Sequence, residues 1–219
     1  MEAGGRSEMI LKVRFILDSA GIEIRPTEPI HLDGLLAWAV ESRSGREYIP
    51  ERNAMPTETD LPLEKYFSGE EWCWKASAIM PEGESVESIR FVRRKFDEQD
   101  AELTTGKPNL IGLRYKDSNM PHLHLLAKSL VAYADTTEPE KVKELLGRVK
   151  YLGPGASRGN GRLQGIEFEE TDEDRTVIYN GVACRYVPHP NGWKLVRCRP
   201  EYWKYLGRTF CFVPGDVVR

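Results

Sequence analysis

The residues best suited to bind a ligand lie in a glycine-rich segment, residues 151–165. Five of them are glycine, and Arg158, Asn160 and Arg162 alternate with the glycines. Glycine lets backbone amides approach a phosphate closely, and a guanidinium group can then bind that phosphate. The segment lacks the Gly-x-x-x-x-Gly-Lys-Ser/Thr pattern of nucleotide-binding P-loops. We therefore predict phosphate contacts here; a hairpin tip that binds nothing is the alternative.

A second basic feature spans residues 86–96. Four basic residues and one acid, Glu87, give it a net charge of +3. The basic residues are Arg90, Arg93, Arg94 and Lys95. Apolar residues alternate with them, which predicts a strand whose outer face binds a phosphate backbone. A solvated strand face explains the same pattern equally well.

A third basic feature spans residues 185–208, where six basic residues and one acid give a net charge of +5. Interleaved aromatic residues either stack on unpaired bases or anchor the segment to the core, and the second role is commoner for aromatic side chains. These aromatic residues are Tyr186, Trp193, Tyr202, Trp203 and Tyr205.

Three histidines invite a catalytic or metal-binding interpretation. His31 lies between a predicted strand and a predicted helix, where it contacts RNA, caps a turn, or acts as a general acid or base toward an RNA 2′-hydroxyl. We favour a turn or RNA contact over catalysis. His122 and His124 have no Asp, Glu or Cys at metal-ligand spacing, so we expect them to be polar surface residues.

The elements that position these residues follow from the spacing of apolar side chains. Alternation over residues 9–17 predicts a strand, and spacing of i, i+3, i+4, i+7 and i+8 predicts a helix over residues 32–40. Residues 43–70 show no clear period. They are predicted to form a long irregular insertion with at most a short helix at residues 63–67.

The middle of the chain is predicted to contain a hairpin and two helices. Alternating residues 72–80 and 88–96 flank a turn-like Pro-Glu-Gly-Glu sequence, which predicts a hairpin. Apolar stripes at helical spacing predict helices over residues 123–134 and 142–149.

The second of these helices also carries a start signal. Thr137 is the predicted N-cap and Glu140 completes a capping box. Further strands are predicted at residues 163–169, 176–179, 182–187 and 209–213. The order strand, helix, strand, strand, helix, strand is compatible with an α+β, ferredoxin-like core that carries insertions.

Charge is segregated along the chain. The 219 residues include 31 Lys and Arg against 34 Asp and Glu, a net charge of −3. Residues 166–175 contain six acids and one Arg, so they sum to −5. This balance disfavours an indiscriminate polyanion binder. We expect the acidic stretch to face a partner subunit or to confine RNA to one face.

Composition also bounds the class of protein. With 40% hydrophobic residues the chain can bury a core. Because no run approaches the roughly 20 apolar residues of a membrane span, we expect a soluble, untargeted, cytoplasmic protein. The four cysteines are far apart with no Cys-x-x-Cys, so we expect reduced thiols, and we predict neither a metal nor another cofactor.

Two stretches of sequence together resemble a known family. Residues 29–39 are Pro-Ile-His-Leu-Asp-Gly-Leu-Leu-Ala-Trp-Ala, and the predicted helix pair is followed by Leu-Gly and Arg-Gly-Asn-Gly-Arg-Leu within residues 152–163. This combination resembles the small RAMP-superfamily subunit of type IV CRISPR effector complexes, the counterpart of the type I subunit that caps the 5′ handle of the guide RNA. The resemblance spans about residues 9–170.

The resemblance implies a fold and a set of partners. It implies a ferredoxin-like (RRM-like) β-α-β-β-α-β RAMP core over residues 1–170, with a thumb-like insertion at about 43–70. Residues 171–219 would form a β-rich extension packed on this core. The expected role is non-catalytic binding of the guide RNA 5′ handle in an antiviral ribonucleoprotein for RNA-guided DNA targeting. Expected partners are helical backbone RAMP subunits, the large-subunit analogue and, near the complex foot, target DNA; a membrane is not among them.

By position, the resemblance assigns RNA contacts to Gly153, Gly155, Arg158, Gly159, Asn160, Gly161 and Arg162. From the residues alone we add His31, Arg93, Arg94, Lys95 and Lys150. The alternative function is a RAMP endoribonuclease that cleaves repeat RNA with His31 as general acid or base and Arg158 or Lys150 on the scissile phosphate. A module that binds only proteins is a third interpretation.

Overall fold

The computed structural model describes residues 9–18, 21–25, 27–43, 52–94 and 118–218. Strands predominate over helices in these ranges, which confirms the α+β class. The elements in chain order are β1 (Met9–Leu17), β2 (Ile22–Glu23), α1 (Leu32–Arg43), β3 (Lys65–Ser68), β4 (Glu71–Trp74), β5 (Met80–Pro81), β6 (Ser85–Arg94), β7 (Ser118–Ala127), β8 (Ser129–Thr136), α2 (Pro139–Leu146), β9 (Leu163–Thr171), β10 (Ile178–Tyr179), β11 (Val182–Ala183), β12 (Val187–Pro188), β13 (Lys194–Val196) and β14 (Thr209–Phe212).

A four-stranded antiparallel sheet with the order β5-β8-β1-β9 forms the centre of the molecule. Successive side chains of a strand point to opposite faces, so β1 buries Leu11, Val13 and Phe15 and presents Lys12 and Arg14 on the other face. Apolar residues of α1 and α2 join the buried ones in one core cluster. The two helices therefore cover one face of the sheet, and Lys12 and Arg14 lie on the face opposite the helices.

The predicted helix over residues 123–134 is wrong. These residues lie in β7 and β8, which are separated at Lys128. β8 pairs with β1 from Met9 opposite Thr136 to Ile16 opposite Ser129. In this sequence the apolar spacing fits both a helix and two strands, and pairing with β1 decides between them because it satisfies the backbone of a central strand.

The predicted hairpin of residues 72–80 and 88–96 is also wrong. β4 ends at Trp74 and pairs with β3, and β6 pairs with β7 instead. The short helix predicted at residues 63–67 is replaced by β3, whose residues alternate between exposed and half-buried positions. Part of the predicted insertion at 43–70 lies outside the described residues. Local apolar patterns missed these strands because each pairs with a segment that the patterns do not include.

The helix predicted at residues 142–149 is confirmed as α2, with a different start. Val142, Leu145 and Leu146 are buried, as their spacing indicates. The N-cap is Glu138, whose side chain makes no capping hydrogen bond, so the predicted capping box is absent at this helix. Thr136 takes part instead, because its Oγ1 accepts a hydrogen bond from the Glu138 N–H at 3.0 Å.

The C-terminal part of the chain has a core of its own. β10 pairs with β11, and β12, β14 and β13 form a three-stranded sheet. The predicted strand at residues 182–187 is interrupted after Ala183, whereas the strands predicted at 163–169 and 209–213 are confirmed as β9 and β14. The four cysteines are free. Neither of the two described helices is long and apolar enough to span a membrane.

Candidate nucleic-acid interface

A long β-hairpin, β6 with β7, carries one half of the candidate site. The strands pair over ten residues, and cross-strand partners project from the same face. Arg90 lies opposite His122, and Ser88 lies opposite His124. At its base, the hairpin continues into β2, because Glu23 pairs with His124. One face of the hairpin therefore carries a cation and two imidazoles beside an acid.

The glycine-rich segment carries the other half. It contains a single 3₁₀ turn, Ala156–Arg158, whose flanking residues Gly155 and Gly159 both have left-handed backbones, with φ of 85° and 78°. A Cβ on Gly153 would lie 2.7 Å from the backbone oxygen of Glu23. A Cβ on Gly155 would lie 2.7 Å from a carboxylate oxygen of Glu23. The glycines thus let this loop pack directly against β2.

Glu23 joins the two halves. Its carboxylate accepts a hydrogen bond from Nδ1 of His122 at 2.8 Å and one from Nη2 of Arg158. The residue is only 7% exposed. Burial raises the pKa of Glu23, but the hydrogen bonds from His122 and Arg158 outweigh it and the net pKa is below the ordinary value. An ionised carboxylate therefore ties the glycine-rich loop to the hairpin.

The other predicted loop residues lie around this centre. Arg162 Nε is 3.3 Å from an Asp18 carboxylate oxygen, and both side chains are largely exposed. Lys150 is exposed, and its ammonium donates to the carbonyl of Gly147 at 3.4 Å. Gly161 packs against the backbone of Leu152. The structure therefore brings the predicted loop residues together, with Arg158 held by an internal acid.

The basic run is divided by the alternation of β6. Arg90 shares a face with His122, whereas Arg93 lies opposite Asn119 on the other face. Of Arg94 the structure gives the backbone pairing, with Ser118. Lys95 lies outside the described residues. Because Arg90 and Arg93 lie on opposite faces of β6, the basic run cannot bind phosphates from a single face as the sequence predicted.

His31 occupies the core. The residue is 2% exposed, and its ring lies between those of Tyr186 and Tyr202, each 4.6 Å away between centroids. Neither ring nitrogen has a hydrogen-bond partner among the described residues. Burial, reinforced by the charges of Arg185 and Lys194, lowers the pKa of His31 well below its usual range, so the ring is neutral. The ring does not reach the surface in this conformation.

The stretch at residues 29–39, which contains His31, makes buried contacts with the C-terminal part of the chain. Asp33 and Arg185 are both fully buried and pair at 3.0 Å. The hydroxyl of Tyr202 donates to the Asp33 carboxylate at 2.8 Å, and burial raises the pKa of Tyr202 well above its usual range, so this donor stays protonated. Gly34 leaves room for the Tyr202 ring, since a Cβ there would lie 3.3 Å from it. The motif at residues 29–39 thus fastens α1 to the C-terminal part.

The C-terminal aromatic and basic segment divides into two sets. Tyr186 and Tyr202 are anchors, as the commoner interpretation expected. Trp193 and Tyr205 are exposed. The buried basic residues of the segment, which do not add to a surface patch, are Arg185, Arg197 and Lys204.

Sequence reasoning missed Glu23 and the role of His122. Glu23 precedes His122 by 99 positions and Arg158 by 135, and no local pattern reports such distances. The only signal is that Glu23 is an acid between two isoleucines in a strand-like stretch. Within the described ranges, no group of three or more His, Cys, Asp or Glu side chains is placed to hold a metal ion.

Comparison with known proteins identifies the family. The family model described as CRISPR type IV associated protein Csf3 matches residues 9–121. This match includes β1, α1, the stretch at residues 29–39 and the first half of the hairpin. No curated protein matches the chain. Because the matched residues make up just over half of its length, the chain belongs to the Csf3 family of type IV CRISPR-associated proteins.

Proposed function

We propose that this protein is a non-catalytic subunit that holds the 5′ handle of the guide RNA and nucleates a type IV CRISPR ribonucleoprotein. The observation that carries the proposal is the convergence of the glycine-rich loop with the polar face of the β6–β7 hairpin at Glu23. Arg158 and Arg90 supply cations there, and the loop supplies backbone amides. Such a surface suits a single RNA strand read through phosphates and 2′-hydroxyls.

Strand order supports a RAMP-type core. The central sheet takes its second, third, first and fourth strands in the order β5-β8-β1-β9, with α1 after β1 and α2 after β8. That is the order of a ferredoxin-like, RRM-like β-α-β-β-α-β domain. We assign residues 1–170 to this core, with the thumb-like insertion at about 43–70, and residues 171–219 to a β-rich extension packed on it.

The partners follow from the family. As a type IV CRISPR-associated protein, the subunit would assemble with other Csf subunits, which we take to be helical backbone RAMP subunits and the large-subunit analogue. Target DNA would pass near the foot of the complex. The acidic residues 166–175 suit a basic partner rather than RNA.

The test is a salt titration of RNA binding. The probe is a single-stranded RNA with the repeat sequence of the locus that encodes the protein. Replacing Arg158 and Arg162 with Ala should weaken binding about tenfold and reduce the slope of log K against log salt by about 1 to 2, because two phosphate contacts are lost. Arg148→Ala is the matched control, since Arg148 is a partly exposed arginine that pairs with Glu144 on α2. Unchanged affinity and slope in the double variant would contradict the proposal.

The endoribonuclease alternative has less support. It assigns acid–base catalysis to His31, and a general acid or base must come within hydrogen-bond reach of the proton that it transfers. The buried, tyrosine-flanked ring of His31 lies in the core instead. We therefore expect the purified protein to leave labelled repeat RNA intact.

A further inference from the structure

The pair formed by Glu23 and His122 fixes the chemistry of an exposed ring nitrogen. A carboxylate only accepts hydrogen bonds, so the Nδ1 of His122 that lies 2.8 Å from Glu23 must carry the proton. In the neutral ring, Nε2 then keeps its lone pair. Nε2 has no hydrogen-bond partner among the described residues. About 20% of the His122 side chain remains exposed, which leaves an acceptor available to a ligand.

A cation stands beside this acceptor. Arg158 donates one N–H to the same Glu23 carboxylate, and its side chain is 43% exposed. A guanidinium group has five N–H donors, so others remain for a phosphate. The site thus combines a hydrogen-bond acceptor with a phosphate-binding cation, both oriented by one buried acid.

We propose that Nε2 of His122 accepts a hydrogen bond from an RNA 2′-hydroxyl while Arg158 binds the adjoining phosphate, so that this site selects ribonucleotides over deoxyribonucleotides. Glu23 is the positioning residue, because it sets the His122 tautomer and holds Arg158. The inference rests on the proposed RNA-binding function and adds the group that is recognised. The 2′-hydroxyl is both a donor and an acceptor, and DNA lacks it.

Three probes of one sequence separate the components of recognition. They are single strands with the repeat sequence as RNA, as DNA, and as RNA with 2′-O-methyl groups, which cannot donate. We expect the wild-type protein to bind RNA about three- to tenfold more tightly than either of the other two, the worth of one hydrogen bond. His122→Ala should bring RNA affinity down toward that of DNA, and so should Glu23→Leu, which removes the acceptor for His122 Nδ1 that a Gln carbonyl would still supply. DNA affinity should change by less than about twofold in the His122→Ala variant.

The control variant is His189→Ala, which removes a histidine in the C-terminal region whose ring centroid lies 5.2 Å from that of Phe212. It should keep the wild-type preference for RNA. A preference that survives in His122→Ala, or equal binding of RNA and its 2′-O-methyl form by the wild type, overturns the inference but leaves RNA binding intact. A wild-type protein that does not bind the RNA overturns both the proposed function and the inference.

A second measurement needs no variant. Nitrogen-15 NMR of the ring nitrogens of His122 at pH 8 should show the tautomer with the proton on Nδ1. A proton on Nε2 overturns the inference, because that nitrogen would then be a donor.

Discussion

At the scale of single residues, the structure shows which histidine lies in the core and which lies at the candidate site. The sequence favoured His31 as the functional histidine and predicted His122 to be a polar surface residue, yet the His31 ring is buried between Tyr186 and Tyr202 and the His122 ring contacts Glu23. The sequence correctly marked Arg158 and its glycines as one loop. It had no means of revealing Glu23, whose partners come from two distant segments.

The burial of His31 yields a prediction about RNA binding. Replacing His31 with Phe keeps an aromatic ring between Tyr186 and Tyr202 and removes two nitrogens that lack partners among the described residues. We expect RNA affinity within about twofold of wild type and a free energy of unfolding within about 1 kcal/mol. Filter binding and urea denaturation measure the two quantities. A stable His31→Phe protein that has lost its RNA affinity would contradict the burial argument and restore His31 as a contact.

Glu82 yields a prediction about pH. The hydrogen bond from Arg14, at 2.5 Å, is the main reason that the pKa of Glu82 falls from 4.5 to about 2. A depressed carboxyl pKa stabilises the folded state above the unfolded pKa, and this stabilisation is lost as the pH falls from 4.5 to about 2. Glu82→Gln should cost about 1 kcal/mol at pH 7, since the group is partly exposed, and almost nothing at pH 2.

Unfolding curves across this pH range are the measurement for Glu82. Glu140→Gln is the control, because Glu140 is exposed and pairs with Lys143 on the surface of α2. A cost of the Glu82 substitution that does not change between pH 7 and pH 2 would rule out the ion pair as its cause.

At the scale of elements, local patterns succeeded where a segment forms its own structure. β1 and α2 were predicted because one alternates strictly and the other has a helical apolar stripe. β7 and β8 were not predicted, because the spacing of their apolar residues also fits a helix. The pairing that makes them strands is with distant segments: β7 pairs with β6, and β8 pairs with β1. The stretch at residues 29–39 looked functional, and the structure shows it holding the C-terminal part to α1 through Asp33 and Arg185.

This buried pair predicts a large effect on stability. Asp33→Asn leaves the fully buried Arg185 without its counter-charge, which should lower the free energy of unfolding by about 3 kcal/mol. Urea denaturation of the full chain measures the loss. Glu144→Gln is the control, because its exposed i, i+4 pair with Arg148 is worth about 0.5 kcal/mol or less. A loss below about 1 kcal/mol for Asp33→Asn would show that the pair does not fasten the two parts.

At the scale of the whole molecule, the net charge of −3 does not show that charged side chains are distributed unevenly over different faces. The face of the central sheet opposite the helices carries ion pairs of Lys12 and Arg14 with Glu82, Glu167 and Glu169. Two cations among three carboxylates leave this face with a net negative charge, which disfavours a phosphate backbone. We therefore expect RNA at the glycine-rich loop and the β6–β7 hairpin, and not on this face of the sheet.

Ultraviolet crosslinking shows where the RNA lies on the protein. The purified wild-type protein is irradiated with ultraviolet light in complex with the repeat-derived RNA, and the crosslinked peptides are identified by mass spectrometry. We expect crosslinks within residues 151–165 and on the β6–β7 hairpin. Crosslinks confined to the exposed C-terminal aromatic residues Trp193 and Tyr205, or to β1 and β9, would contradict it.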